Sequence, residues 1–363
     1  MLNQVEWGTY RVGDLFEIEH TLSFNSEKLN VGTEFDYITR TSLNQGILQT
    51  TGFVNADNIN SAGNWSLGLL QMDFFYRTKP WYAGQFVRKI TTDLPLTKNT
   101  ALFFTVLLNS LKHKLLSVLV RDVDKTFREQ NILLPTKNGE IDFAFMERFV
   151  AELEAQRVAE LEAYLTATGL KDYELTAEEQ KALDDFENHN VSWKMVTYQS
   201  VFDHIKQGRR LRKEDQFPGS IPFVMAGTTN TGVVGYISNP VASFPKNSIT
   251  IDIFGNSFYR NYAFGAGDDT GVYWSTKNEY SSKQMLFFTS TMEKSIAGKF
   301  SYGKKLRSSQ SLNIKMYVPV TKGNIDLDFM DTLISAIQKL IIKDVVQYSD
   351  RKIAATKQCC KSK

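Results

Sequence analysis

Two periodicities alternate along the chain. From Thr9 to Ile18 apolar and polar positions alternate, and Ser248–Phe254 (SITIDIF) alternates around its isoleucines; a two-residue period predicts half-buried strands. Gly, Asn, Ser and Thr crowd the intervals, as at Asn44–Gly46 and Asn230–Gly232, which predicts turns and long loops. Elsewhere the period becomes helical. Behind Pro135 and Asn138-Gly139, with Asp142 in an N-cap position, Met146, Val150, Leu153, Val158, Leu161 and Leu165 recur at spacings of three to five. Behind Asp326 a tighter stripe of Met330, Leu333, Ile337, Leu340, Ile341, Val345 and Tyr348 approaches a heptad seam. A shorter helix is predicted from the capping-box spacing of Thr176 and Glu179, with Leu183 and Phe186 as its apolar face, running into Trp193.

The chain is also a duplication. LLPTKNGEIDFAFM (Leu133–Met146) recurs as YVPVTKGNIDLDFM (Tyr317–Met330), with six identities in 14 positions: Pro135, Gly139, Ile141, Asp142, Phe145 and Met146 match Pro319, Gly323, Ile325, Asp326, Phe329 and Met330. At the same offset of 184, Leu102–Thr105 recurs as Leu286–Thr289. Earlier in each half the offset is 186, pairing Trp7 with Trp193, Phe16 with Phe202, Tyr37 with Phe223, Asn44 with Asn230 and Gly46 with Gly232. The expected class is α+β, with two tandem β-rich domains, 1–141 and 191–324, alternating with a central helical spacer, 142–190, and a terminal spacer helix and tail, 325–363. Two long amphipathic helices in one chain seek each other or a partner, so an antiparallel bundle is expected.

Composition agrees with two cores: 363 residues are 42% hydrophobic and include 25 Phe and 15 Tyr. The apolar run around Phe103 and Phe104 extends only from Ala101 to Leu108, short of the ~20 residues that span a bilayer. The amino terminus, MLNQVEWGTY, lacks the pattern of a signal peptide, so a soluble cytoplasmic protein without a membrane partner is expected. The adjacent Cys359 and Cys360 are read as an inert exposed pair in a reducing compartment, since zinc requires about four ligands. The net charge of +2 conceals a strong asymmetry. Lys plus Arg against Asp plus Glu number 14 and 14 in residues 1–141, 4 and 13 in 142–190, 17 and 8 in 191–324, and 7 and 5 in 325–363. The central connector is thus acidic, which suits an exposed protein-facing surface, and the second domain is basic.

Linear motifs for catalysis are missing. Phe264–Gly267 is the nearest glycine run to a methyl-donor loop, but its spacing is wrong and it is expected to be a mobile loop. His20, His113, His189 and His204 are scattered without metal-ligand spacing, so no metal site and no catalytic residue are expected. The basic residues suggest a polyanion. Arg209, Arg210, Arg212 and Lys213 form one cluster, and Tyr302, Lys304, Lys305 and Arg307 another about a hundred residues later. In the neutral first domain, Arg40 stands near Asn44, with Lys112, Lys114 and Arg121 later. Asn44 and Asn230 can read adenine through paired hydrogen bonds, or can simply close tight turns. Duplicated heads separated by stiff helices suit a long, regular ligand read at two places, and double-stranded DNA is one.

The opening Trp7, Tyr10, Asp14-Leu15-Phe16, the stretch YITRTSLNQGI (Tyr37–Ile47), KFSYGKKLR (Lys299–Arg307) and the two duplicated closures resemble the specificity subunits of Type I and Type IIB (BcgI-like) restriction-modification systems. The stretch TGLKDYELTAEE (Thr168–Glu179) is similar to the linker of the BcgI-like branch. The resemblance implies a non-catalytic chain in which each target recognition domain reads one half of a bipartite DNA site. It also implies that the helices pack together and dock modification and restriction subunits, which bind S-adenosylmethionine and Mg. Phe149, Leu153, Leu161, Leu333, Ile337 and Leu340 are the expected docking residues. The family motif falls on Tyr302, Gly303 and Lys304; its gapless counterpart in the first domain, Val118-Leu119-Val120, lacks it, as expected if the two domains read different half-sites. A bivalent glycan or protein binder, and an enzyme whose site is assembled across loops, are the competing classes.

Overall fold

The computed structural model describes residues 2–361, and side chains as far as residue 355, so Cys359 and Cys360 lie outside the side chains described. The chain divides into two compact units: residues up to Leu161 together with those from Ile353 onward, and Glu162–Lys352. Both are built to one plan of three small sheets and a covering helix.

In unit 1, Glu6–Arg11 pairs antiparallel with Asn131–Lys137, placing Trp7 opposite Pro135. A four-stranded antiparallel sheet follows the order Glu17–His20, Val87–Thr91, Asn64–Gly68, Asp73–Arg77. The third sheet sets Phe35–Ile38 between Ile47–Thr51 and, in parallel, Trp81–Ala83. Helix α1 (Lys98–Ser110) presents Phe104 to Phe16, ring centroids 5.5 Å apart, and Phe16 meets Trp65 edge-on at 5.6 Å. Helix α2 (Phe143–Ala167) begins in this unit and ends in the other; the shorter α3 (Ala177–Glu187) follows it in unit 2.

Unit 2 repeats each part. Trp193 lies opposite Pro319, and the four-stranded order is His204–Gln207, Thr270–Trp274, Ser248–Asp252, Ser257–Arg260. Pro218–Val224 again has a parallel neighbour, Phe264–Ala266. Helix α4 (Ser282–Ile296) sets Phe288 5.7 Å from Phe202. The residue pairs matched by sequence offset therefore occupy matching structural positions. Of the described residues, no helix is long and apolar enough to cross a membrane.

The long helices start as their caps dictate. Asp142 accepts the Phe145 amide at 2.8 Å and Asp326 the Phe329 amide at 2.9 Å, each satisfying a donor the helix leaves unpaired. Thr176 and Glu179 form the expected reciprocal box. Within unit 2 the end of α2 and the connector run antiparallel to α5 (Leu327–Lys361): Glu162 accepts from Ser349, Lys171 pairs with Glu162 and Asp350, and further on Asp172 and Glu179 meet Lys339 at 2.9 and 3.0 Å. Glu162 and Lys171 meet α5 at Ser349 and Asp350, and Asp172 and Glu179 meet it further toward its start, at Lys339.

Four expectations are corrected. Thr9–Ile18 is not one strand, because a helical turn, Val12–Leu15, interrupts it. Val12 and Phe16 are both buried, and a spacing of four satisfies a strand and a helical turn alike. Tertiary contact decides between them: the Val12 amide donates to the Gln130 carbonyl, and Gly13 lies where a Cβ would stand 2.9 Å from the Arg128 carbonyl oxygen. Phe264–Ala266 is a buried strand rather than a mobile loop; Gly265 is there for closeness, since a Cβ would meet Pro240 at 2.5 Å. The stripe on α5 is rotated and the acidic connector is not wholly exposed. Glu179 is buried against Lys339, so Ala336, Lys339, Val346 and Ser349 turn inward while Leu340, Ile341, Val345 and Tyr348 are exposed.

Asp142→Ala is expected to cost about 1 kcal/mol of unit stability, and Asp326→Ala at least as much, because the Thr321 hydroxyl also donates to Asp326. Denaturant unfolding measures both; unaltered midpoints would mean that the caps are not made in solution.

Candidate nucleic-acid interface

In unit 2 the two basic clusters meet beside one loop. The strand His204–Gln207 delivers Gly208 against the turn after Phe264–Ala266, so close that a Cβ on Gly208 would lie 2.1 Å from the Gly267 carbonyl oxygen. The amides of Gly208 and Arg209 donate to Thr270 and Ala266 carbonyls, both at 2.9 Å. From the other cluster, Arg307 donates through Nη1 to the Asp268 carbonyl, which also accepts from Gln207 Nε2 at 3.0 Å. Gln207 completes the link by accepting the Ser308 amide at 2.8 Å. Arg209, Arg210, Arg212 and Lys213 are exposed, and Arg212 has only a loose ion pair with Glu214 at 4.0 Å. Exposed cations of this kind retain most of their charge for an outside anion.

Residues Ser301 and Lys304 close a tight turn by exchanging two backbone hydrogen bonds of 3.0 Å, with Tyr302-Gly303 at its tip. Tyr302 is 82% exposed, with the Lys305 ammonium 4.7 Å from its ring centre, and Lys304 lies 5.9 Å from the Phe300 ring. Buried Leu306 anchors the turn, its amide donating to the Ile253 carbonyl. A cation beside an exposed aromatic face can neutralise a phosphate and stack on a base or sugar. Lys304 and Lys305 also line a groove with Trp193, Phe287 and Tyr317, where Lys294, Lys299 and Lys315 join them. Of these three, only Lys299 lies in a stretch that the sequence singled out; Lys294 and Lys315 were missed, because no linear motif joins them to the clusters.

The two asparagines occupy matching turns. Asn44, Gln45 and Gly46 have φ of 46°, 55° and 79°, and Asn230, Thr231 and Gly232 have 47°, 51° and 83°. Each asparagine amide donates to the carbonyl three residues on, Ile47 at 3.2 Å and Val233 at 3.4 Å. The turn role is thus present in both copies, and both asparagines are exposed. Beneath each turn lies a buried arginine that sequence reasoning also missed. Arg77 donates to the Gln45 carbonyl at 2.5 Å and through Nε to Ser66 Oγ at 2.8 Å. Arg260 donates to the Thr231 carbonyl at 2.5 Å, to Thr231 Oγ1 at 3.0 Å, to Thr250 Oγ1 at 3.1 Å and to the Tyr262 hydroxyl at 3.1 Å. Burial pushes the Arg77 guanidinium down to about 10, with Asp36 opposing the shift, and lowers Arg260 for the same reason. Arg77 therefore remains charged at neutral pH.

Unit 1 offers less free charge. Arg40 is exposed and lies 5.3 Å from the ring centre of Phe86, but Lys112 pairs with Asp73 and Arg121 with Asp122. Among the helix residues expected to dock partners, Phe149 is half-buried between Phe145 and Phe103, Leu161 and Ile337 are half-buried, and Leu333 belongs to the core of unit 2. Leu153 and Leu340 are exposed. Among the described residues no group of three or more His, Cys, Asp or Glu is placed to hold a metal ion.

The family model described as the Type I restriction modification DNA specificity domain matches this chain twice, over residues 4–163 and 190–347. The specificity subunit of the Type II restriction enzyme BcgI from Heyndrickxia coagulans is 24% identical over 350 residues, covering 94% of this chain and 97% of that one. The Type-I restriction-modification system S subunit from M. genitalium shares the fold, with a TM-score of 0.59 at 14% identity, over 99% of this chain and 95% of that structure.

Gly208→Ala forces a backbone displacement at the junction of the two clusters and is expected to cost about 1–3 kcal/mol. Hydrogen exchange should quicken at Gly208, Arg209 and Thr270; wild-type protection there would show that the close approach does not exist in solution.

Proposed function

The chain belongs to the family of Type I restriction modification DNA specificity domains, and on that premise we propose that each unit reads one half of a bipartite double-stranded DNA site. The protein is a specificity subunit of a restriction-modification system, and catalysis lies in partner subunits. In this proposal α2 and α5 set the gap between half-sites and dock the methyltransferase and restriction subunits, which carry S-adenosylmethionine and Mg, in the cytoplasm.

The observation that carries the proposal is the meeting of two basic clusters beside the loop at Gly267–Asp269, in a chain whose units repeat one plan. Arg209, Arg210, Arg212, Lys213, Lys304, Lys305 and Arg307 supply the phosphate-facing charge, with Tyr302 among them. Arg40, Asn44 and Asn230 are placed on exposed surface where amide or guanidinium groups can meet base edges. The 25 residues of α2 give it a length of roughly 38 Å, near one turn of B-DNA. The exposed apolar row Leu340, Ile341, Val345 and Tyr348 on α5 is the docking face proposed. The Tyr302-Gly303-Lys304 motif is absent from its gapless partner in unit 1, Val118-Leu119-Val120, which supports two half-sites that differ in sequence.

Exchanging residues 191–324 for those of another family member, within the complete complex, is expected to alter one half of the methylated sequence and leave the other; an unchanged site overturns the proposal. In salt titrations of the same complex, Lys304→Ala and Lys305→Ala should each flatten the dependence of log affinity on log salt by about 0.9 if that side chain meets one phosphate. Slopes equal to wild type would remove these residues from the interface.

A further inference from the structure

Two consecutive residues other than glycine with positive φ are uncommon, and a β-branched residue such as Thr231 is among the least tolerant of that conformation. Such backbone persists only where its surroundings over-determine it. Here the over-determining group is the same in both units. A guanidinium is withdrawn from water, where it would be well solvated, and most of its donors go to neutral oxygens. In each unit it bonds the carbonyl of the residue between asparagine and glycine, bonds a hydroxyl on the neighbouring strand (Ser66 or Thr250) and lies against a phenylalanine ring (Phe75 at 5.6 Å, Phe258 at 5.3 Å). What differs is what the turn exposes: Leu43, Asn44 and Gln45 in one unit, Thr229, Asn230 and Thr231 in the other. A constant clamp beneath a variable tip is what two readers of different sequences require, because a preset tip loses little conformational freedom on contact.

We propose that Arg77 and Arg260 are positioning residues for sequence recognition, each holding the left-handed turn through which its unit contacts bases; this rests on the proposed reading of one half-site by each unit. Neither arginine touches DNA. Each acts through the backbone carbonyl it binds, of Gln45 or Thr231, and so sets the direction of the asparagine beside it.

The test uses the complete complex with its modification subunits, methylating a library in which both half-sites are randomised. Arg260→Met is expected to relax discrimination by about tenfold, the loss of one well-placed base contact, at the half-site read by unit 2 alone. Arg77→Met should relax the other half-site alone. Equal losses at both half-sites, or unchanged discrimination, overturn the proposal, since a general loss of folded complex lowers methylation everywhere without altering preference. Should a methionine variant not assemble, Arg260→Gln, whose amide nitrogen stands where Nε donates to Thr250 but which lacks the Nη donors to Thr231, decides the matter: relaxation confined to one half-site supports the proposal and wild-type preference overturns it. The exchange of residues 191–324 separates the two levels. If that exchange changes a half-site and the arginine variants do not, the clamp alone is refuted; if the exchange changes nothing, the reading beneath it fails first.

Discussion

Each unit depends on the antiparallel pairing between its first strand and the strand that leads into its spacer helix. Trp7 opposite Pro135 and Trp193 opposite Pro319 bring the two ends of each unit together. Closing so long a loop is opposed by entropy that grows only slowly with length, and burial of Ile132 and Leu134, or Met316 and Val318, offsets it. The helix start follows from the closure. The amides of Asp142 and Asp326 donate to the carbonyls of Pro135 and Pro319, at 2.8 and 2.9 Å, before their side chains cap the helices, so the closing sheet aims each spacer helix.

The proposed reading surface rests on a division of polar groups between inside and outside. Inside unit 2, Asp252 takes four hydrogen bonds, from the amides of Gly227, Phe254 and Asn256 and the Asn256 side chain, and Asp269 accepts the Ala226 amide. Arg260 is likewise satisfied within the unit. These buried and half-buried charges hold loops in place and leave Arg209, Arg210, Lys304 and Lys305 outside, where water or an anion can reach them.

The same accounting rotates the terminal helix. Lys339 would be expected on the wet side of α5, but the carboxylates of Asp172 and Glu179 and the Glu174 carbonyl hold it beneath the connector. Once Lys339 faces inward, a helix of 3.6 residues per turn carries Leu340, Ile341, Val345 and Tyr348 outward. Apolar side chains left exposed in this way are an asset only to a chain that works in a complex.

Local rules acting over a few residues were legible from the sequence alone: the capping aspartates and the Thr176–Glu179 box, the helical stripes, the Asn-x-Gly turns, and the duplication with its two offsets. These features depend on near neighbours or on copying, and both leave a linear trace. The tertiary structure alone decided the helical turn at Val12–Leu15, the burial of Phe264–Ala266, the rotation of α5 and the meeting of Arg209 with Arg307. It also placed Arg77 and Arg260, which in sequence look like any surface arginine, beneath the turns they clamp. In each of these cases the deciding partner is remote along the chain, and a hydrogen bond or a close backbone approach between remote segments exists only after the sheets have closed.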